Sequence, residues 1–160
     1  MDKTKGNEKL YYLFQKLGGQ YPSKGTIFLP ESEQVEELKK IFEVFFENGK
    51  ISDAITTAKL LPEPHRTEAI IKLIDDCEWI SDALNFVDIL SEPQRTTELT
   101  KMFESYVGVL RFDAALQTAN LFSDPQQTEA FTTIIEGYIK MAQFDKARKV
   151  ADMILKKHQK

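Results

Sequence analysis

Apolar side chains recur along residues 31–160 at offsets of 3, 4 and 7, which place them on one face of an α-helix. The pattern is clearest at 131–154, where it predicts two amphipathic helices joined by a tight turn at 141–144. A small residue at the centre of the second helix recurs at equivalent positions upstream: Ala54, Ala83, Ala115 and Ala147. The pattern therefore predicts four helical hairpins, each packing its second helix through a narrow alanine seam.

Larger apolar residues form further columns in the same register. Three residues before the alanine stand Ile51, Ile80, Phe112 and Phe144, and the first helices carry Leu38, Ile70, Leu99 and Phe131, then Phe45, Cys77, Tyr106 and Tyr138. By their numbering, successive alanines are 29, 32 and 32 residues apart. A spacing of this size is typical of a helical solenoid, in which neighbouring hairpins share one core.

The predicted fold is all-α: a right-handed α-solenoid of about four helix-turn-helix repeats over 31–160, preceded by a capping segment over 1–30. In that segment the pattern predicts a short helix near 10–17, ended by Gly18-Gly19, and a loop with an extended piece at 26–29. Asn48-Gly49 should end a helix over 33–47, and Ser52 or Asp53 should cap the next helix.

Prolines separate the hairpins, and they are expected in the first turns of the helices that follow, where an acid also favours the positive helix end. The three linkers read EPHRTEA, EPQRTTE and DPQQTEA. One turn differs: between Cys77 and Ile80 it is three residues shorter than its equivalents, which predicts a clipped helix. We expect Cys77 to be a small core residue and Trp79 to fill the missing space by packing, the alternative being an exposed anchor.

Composition narrows the function. The 160 residues are 42% hydrophobic and 29% charged, with a net charge of −4, which argues mildly against nonspecific binding to nucleic acid or membranes. A single cysteine cannot form an internal disulfide and fits a reducing, cytoplasmic location. No stretch is apolar enough for a membrane span, and the first residues lack the apolar core of a signal peptide.

The final hairpin shows a family resemblance. An aromatic nine residues before the key alanine (Tyr138), an aromatic three before it (Phe144), an acid two before it (Asp145) and small residues at Ala147 and Ala151 resemble the tetratricopeptide repeat. The segment GYIKMAQFDKA is also similar to the pentatricopeptide repeat. The resemblance covers about 33–155 and implies a right-handed array that serves as a binding scaffold. The spacing is nearer 32 than the 34 typical of the family, and large residues replace its first-helix glycine.

A candidate binding surface follows from the repeat. Acids recur one position beyond an apolar column of the first helices, at Glu43, Asp75, Glu104 and Glu136, with Glu36, Glu68 and Glu129 on the same side. The resemblance implies that first helices line the concave surface of the array, so these acids would form an acidic groove for a basic peptide or protein. The alternative is that they are ordinary solvated side chains.

The sequence favours neither catalysis nor a cofactor. It contains no GxxxxGK[ST], GxGxxG, HExxH or GxSxG motif, and His65 and His158 lack the neighbours that a metal site needs. Arg66 and Arg95, which match in the linkers, are expected to bond to nearby carbonyls or acids. We therefore expect a protein-interaction scaffold, adaptor or chaperone-like module. The alternative function is single-stranded RNA binding of the pentatricopeptide type, and self-association through the C-terminal helix is a further option.

Overall fold

The computed structural model describes residues 12, 13, 15 and 30–159, and the regular structure in this part of the chain is entirely α-helical. The helices are α1 (Glu31–Glu47), α2 (Ile51–Ala58), α3 (His65–Asp75), α4 (Ile80–Val87), α5 (Gln94–Gly108), α6 (Phe112–Ala119), α7 (Gln126–Lys140) and α8 (Phe144–His158). The prediction of an all-α fold is confirmed.

In each of the first three hairpins a longer helix is followed by a shorter one, and the two helices of the fourth are equal in length. The first helices of the predicted hairpins have 17, 11, 15 and 15 residues, and the second helices have 8, 8, 8 and 15. The shortest first helix, α3, is the one that precedes the short turn, as predicted. Helix α1 begins at Glu31, two residues earlier than expected.

The chain divides into two compact units, residues 1–76 and 77–160, and the division falls in the short turn between α3 and α4. In the first unit, α1 packs against α2 and α3, and α2 packs against α3. In the second unit each helix from α4 to α8 packs against the next, and α5 also contacts α7. First helices therefore contact each other inside each unit, as they do when hairpins stack.

The alanine seam lies in the interior of the molecule. Ala54 and Ala115 are fully buried, and Ala83 and Ala147 are 4% and 5% exposed. A methyl group at this position lets the neighbouring backbone approach closely, which explains why the same small residue recurs. The matching large residues of the first helices are buried as well: Leu38, Ile70, Leu99 and Phe131. The predicted packing register is confirmed in both units.

Three of the turns inside the hairpins share one backbone geometry. The residue five positions before each alanine is left-handed: Gly49 with φ 68°, Leu110 with φ 59° and Ala142 with φ 56°. The next N–H donates to a carbonyl five residues back, in the pairs Lys50 to Phe45, Arg111 to Tyr106 and Gln143 to Tyr138, each at 2.8 Å. This is the Schellman arrangement of a helix end. Asn48-Gly49 ends α1 as predicted.

The linkers differ in detail from the prediction. The short second helices end several residues before the prolines, and a tighter turn carries Leu61 and its equivalents into the core. Pro64, Pro93 and Pro125 each immediately precede a first helix, after a cis peptide bond, and so lie just outside the first turn where they were expected.

Acidic side chains hold the starts of the first helices. The Glu63 carboxylate accepts the backbone N–H of Thr67 at 3.2 Å and its hydroxyl at 2.7 Å, and Glu92 does the same for Thr96. The threonine hydroxyl bond is the main reason that the pKa of each glutamate is lowered. The expected cap of α2 is wrong, because Lys50 directly precedes Ile51 and no side chain caps this helix.

Two aromatic residues predicted to pack are exposed. Trp79 is 68% exposed because it precedes α4 in an extended conformation that does not follow the helix, and Cys77 beside it is half-buried. Phe144 is 63% exposed, whereas Phe112 at the equivalent position is buried. Phe112 is covered by the next first helix, α7, while no helix follows α8 in the described residues.

Most of the predicted capping segment lies outside the described residues, including the glycine stop and the extended piece at 26–29. Tyr12, Leu13 and Gln15 are helical, which agrees with a short helix near 10–17. The Leu13 side chain is 1% exposed and so belongs to the core of the first unit.

Candidate interaction surfaces

The predicted acidic residues of the first unit are mostly paired. Glu43 on α1 forms an ion pair with Lys72 on α3. Glu36 pairs with Lys39 at 3.1 Å, and Glu68 lies 3.3 Å from the ring of His65. Asp75 is exposed at the last residue of α3. Two of these four carboxylates, those of Glu36 and Glu43, therefore have a lysine of the same chain as an ion-pair partner.

The predicted acidic residues of the second unit differ from most of those of the first in their lack of ion-pair partners in the part of the chain that the structure describes. Glu104 on α5 and Glu136 on α7 are both exposed, and these two helices pack against each other. No cation is paired with either carboxylate, or with that of Glu129, among the residues that the structure describes. The structure therefore brings Glu104 and Glu136 to equivalent positions on neighbouring helices, and neither carboxylate forms an ion pair within the described residues.

The second unit also contains a cleft that the sequence did not predict. A cleft of about 330 Å³, here called the turn cleft, opens beside the turns of the third and fourth hairpins. Its walls include apolar residues, polar residues and both signs of charge: Ile80, Leu110, Arg111, Asp113, Gln117, Tyr138, Met141, Gln143 and Lys146. All of these residues belong to the second compact unit.

A hydrogen-bonded group of three side chains forms one wall of the turn cleft. The Tyr138 hydroxyl of α7 donates to the Asp113 carboxylate of α6 at 2.6 Å, and the Lys146 ammonium of α8 donates to the same carboxylate at 3.0 and 3.2 Å. The Lys146 nitrogen also lies 5.4 Å from the centre of the Tyr138 ring. The group therefore ties three consecutive helices together.

This arrangement shifts the proton affinities of its members. The hydrogen bond from Tyr138, followed by that from Lys146, holds the pKa of Asp113 below its usual value. Burial, with the hydrogen bond to Asp113 next, raises the pKa of Tyr138. The phenol therefore stays protonated at neutral pH and acts as a donor, which makes it a structural link and not a base.

Phe112, which lines the turn cleft, makes a close contact with the next helix. The ring of Phe112 on α6 lies against Gly137 on α7, and its centre is 5.3 Å from that of the Tyr138 ring. A Cβ at residue 137 would lie 2.2 Å from Cζ of Phe112, so a glycine is needed for this approach.

The linker arginines bond within the protein, as predicted. Arg66 forms an ion pair with Glu63 at 2.8 Å, and Arg95 pairs with Asp88 at 3.0 Å and donates to the carbonyl of Leu121 at 3.2 Å. Gln127 takes the equivalent place in the third linker and donates to the carbonyl of Asn120 at 3.1 Å. These side chains therefore hold the linkers in place.

Other candidate chemistry is sparse in the described part of the chain. No three histidine, cysteine or acidic side chains there lie close enough to hold a metal, and the side chain of His158 falls outside it. None of its helices is both long and apolar enough to cross a bilayer.

Helix α8, considered for self-association, exposes charged side chains and three large apolar residues, Phe144, Met153 and Leu155. No feature of this helix in the described residues identifies what would cover it, so self-association stays a prediction.

Comparison with known proteins adds no assignment: no family model, curated protein or solved structure matches the chain. The turn cleft did have a signal in the sequence. Val109-Leu110 and Met141 occupy turns in which the first hairpin has Asn48-Gly49, so apolar residues replace polar ones at these positions. Nothing in the sequence indicated the group formed by Asp113, Tyr138 and Lys146. These residues are 25 and 33 positions apart and meet only because the helices pack together.

Proposed function

We propose that this chain is a protein-interaction module, built as a right-handed solenoid of four hairpins similar to tetratricopeptide arrays. Three features support the architecture: the buried alanine seam, the contacts between first helices within each unit, and the turn geometry that three hairpins share. A solenoid presents a rigid, extended surface to a partner without needing a catalytic site.

One observation carries the functional proposal. Glu104 and Glu136 are exposed at equivalent positions of two packed helices, and no cation within the described residues compensates either charge. On the first unit, by contrast, the acid at the same repeat position as these two, Glu43, forms an ion pair with Lys72. Two uncompensated acids on adjacent helices attract a basic segment and favour its correct orientation. The partner that we propose is therefore a protein with a basic segment. If the acids are only solvated side chains, the alternative, then replacing them should not change partner binding.

The test is a charge reversal at both positions. The variant Glu104→Lys/Glu136→Lys is compared with the wild type by affinity capture from native lysate, after circular dichroism has shown that it is folded. The control Glu78→Lys/Asp152→Lys changes the net charge equally, at exposed acids that lie outside the first helices. We expect the captured partner to be retained by the control and lost by the first variant. Equal capture by all three proteins would refute the proposal.

The RNA-binding alternative has its own test. A pool of single-stranded RNA mixed with the protein at low salt should show no retardation on a native gel, because the acids repel the phosphate backbone. A shift that disappears as salt is raised would instead support the pentatricopeptide type of function.

The architecture is tested by solution scattering. A solenoid of four hairpins should have a radius of gyration clearly above the roughly 15 Å of a compact globule of this length. A value near that of the globule would argue against the extended array.

A further inference from the structure

We propose that the turn cleft of the second unit binds a large apolar side chain flanked by a carboxylate, presented by an acidic segment of another protein. The residues of this site are different from the acidic pair Glu104 and Glu136. The segment that it binds is acidic, whereas the segment proposed for the acidic pair is basic. The inference goes beyond the proposed function, since it stands on different residues and different chemistry.

The first argument comes from comparing the turns within the chain. Gly49, Leu110 and Ala142 have the same backbone conformation and the same hydrogen bonds. The first of these turns is polar, reading Asn48-Gly49-Lys50, so the fold itself does not require apolar residues there. In the third hairpin the same positions are Val109 and Leu110, which are 63% and 60% exposed. These side chains are therefore available to a partner.

The second argument is the cost of placing leucine at residue 110. A left-handed conformation is disfavoured for any residue that carries a Cβ atom, and glycine satisfies the same turn without that cost at residue 49. Leu110 gains little burial in return. A disfavoured conformation retained with an exposed side chain points to a role outside the fold. Leu110 and Met141, which is 42% exposed, both line the turn cleft.

The third argument is charge, and it identifies the occupant. Arg111 and Lys146 line the turn cleft together with one carboxylate, that of Asp113. That carboxylate already accepts hydrogen bonds from Tyr138 and Lys146. The Arg111 guanidinium lies 5.7 Å from the centre of the Tyr106 ring, and no carboxylate is paired with it within residues 77–159. A cationic site with an apolar mouth complements an apolar side chain next to an acid.

The size of the turn cleft agrees with such an occupant. Its volume of about 330 Å³ is at the lower end of the range for ligand pockets. One large side chain and its neighbouring backbone fit that space, whereas a folded domain would contact only the rim. The partner is thus expected to supply a short segment with one anchor residue.

The experiment begins with a random dodecapeptide library displayed on phage and selected on the full chain. We expect the enriched peptides to combine Phe, Leu or Trp with adjacent Asp or Glu. The most enriched peptide is then synthesised with a fluorescent label, and its dissociation constant is measured by fluorescence polarisation. Leu110→Gly removes the side chain while suiting the turn, and Arg111→Gln removes the unpaired charge.

Each of these variants should weaken binding by about tenfold or more, as expected for a central contact. Lys50→Gln, the same change at the matching position of the first hairpin, should leave the affinity within about twofold, as should the Glu104→Lys/Glu136→Lys variant. This last result separates the inference from the proposed function.

Several outcomes would overturn the inference: enriched peptides that are basic or lack an apolar residue, no enrichment, or unchanged affinity in both Leu110→Gly and Arg111→Gln. Two further measurements test other occupants. Cosedimentation with phosphatidylserine vesicles that depends on Leu110 would assign the site to a membrane surface, and a dimer in sedimentation velocity that Leu110→Gly dissociates would assign it to a second copy of the chain. Either result would replace the peptide proposal.

Discussion

The contact between Gly137 and Phe112 gives the sharpest prediction about stability. A Cβ added to residue 137 would lie 2.2, 2.3 and 2.9 Å from three atoms of the Phe112 ring, whereas carbon atoms in contact are normally about 3.5–4.0 Å apart. The ring must therefore move by more than about 1 Å in a packed interior. Gly137→Ala is expected to destabilise the fold.

The magnitude follows from two opposing effects. Overpacking a core typically costs about 1–3 kcal/mol. Replacing glycine by alanine inside a helix returns up to about 1 kcal/mol through helix propensity. With the propensity gain taken in full, the net free energy of unfolding should therefore fall by up to about 2 kcal/mol. The Tyr138 ring packs against the same phenylalanine, so its bond to Asp113 is expected to weaken as well.

The assay is urea unfolding followed by circular dichroism, with Gly108→Ala as the matched control. Gly108 is also helical, as the last residue of α5, but a Cβ there meets no atom within 4 Å. The control should be as stable as the wild type or more stable, by up to about 1 kcal/mol.

A second variant tests the cause. Phe112→Leu removes the ring atoms that the added Cβ would touch, so the two substitutions together should cost less than the sum of their separate effects. The reasoning is refuted if Gly137→Ala raises stability as Gly108→Ala does, or if the effects of the two substitutions simply add.

Three further predictions concern the same unit. Ala142→Gly should raise the unfolding free energy by up to about 1 kcal/mol, since the left-handed backbone disfavours alanine; a decrease in urea unfolding would contradict this. Tyr138→Phe should cost about 1 kcal/mol by removing the 2.6 Å bond to Asp113. The pKa of Asp113 is lowered on folding, so its carboxylate contributes fully to the free energy of unfolding above its ordinary pKa of 3.8. This contribution is lost as the pH falls from 3.8 through the lower pKa of the folded state. Since Tyr138→Phe removes the main cause of the shift, the variant should lose less stability than the wild type below pH 3.8. Trp79→Ala should change stability by less than about 0.5 kcal/mol, because the indole is exposed; a larger loss in thermal unfolding would show that it packs.

The sequence was sufficient to predict which segments of the described residues are helical and which side chains of the repeat columns face the interior. A column such as Ala54 and Ala115 carries this information because helical spacing alone decides which side chains face a neighbour. The ends of α2, α4 and α6 were less predictable. Leu61 and Phe122 continue the apolar pattern past the last helical residue, so periodicity overestimates the helix length.

The candidate sites were predictable only in part. The acid column was visible in the sequence, but the ion pair of Glu43 with Lys72, 29 residues away, depends on how α1 and α3 pack. The position of Trp79 depends on one extended residue before α4, which a repeat pattern does not encode. The group formed by Asp113, Tyr138 and Lys146 likewise needs three helices in place before its members meet.

The shared hairpin turn has a practical consequence for engineering. Its shape is set by main-chain hydrogen bonds and one left-handed residue, and it accepts glycine, leucine or alanine at that residue. The outward side chains can therefore be exchanged while the helices keep their register. Recognition sequences transplanted onto the Asn48–Lys50 turn, which is polar and exposed, offer a way to give this scaffold a new ligand without redesigning its interior.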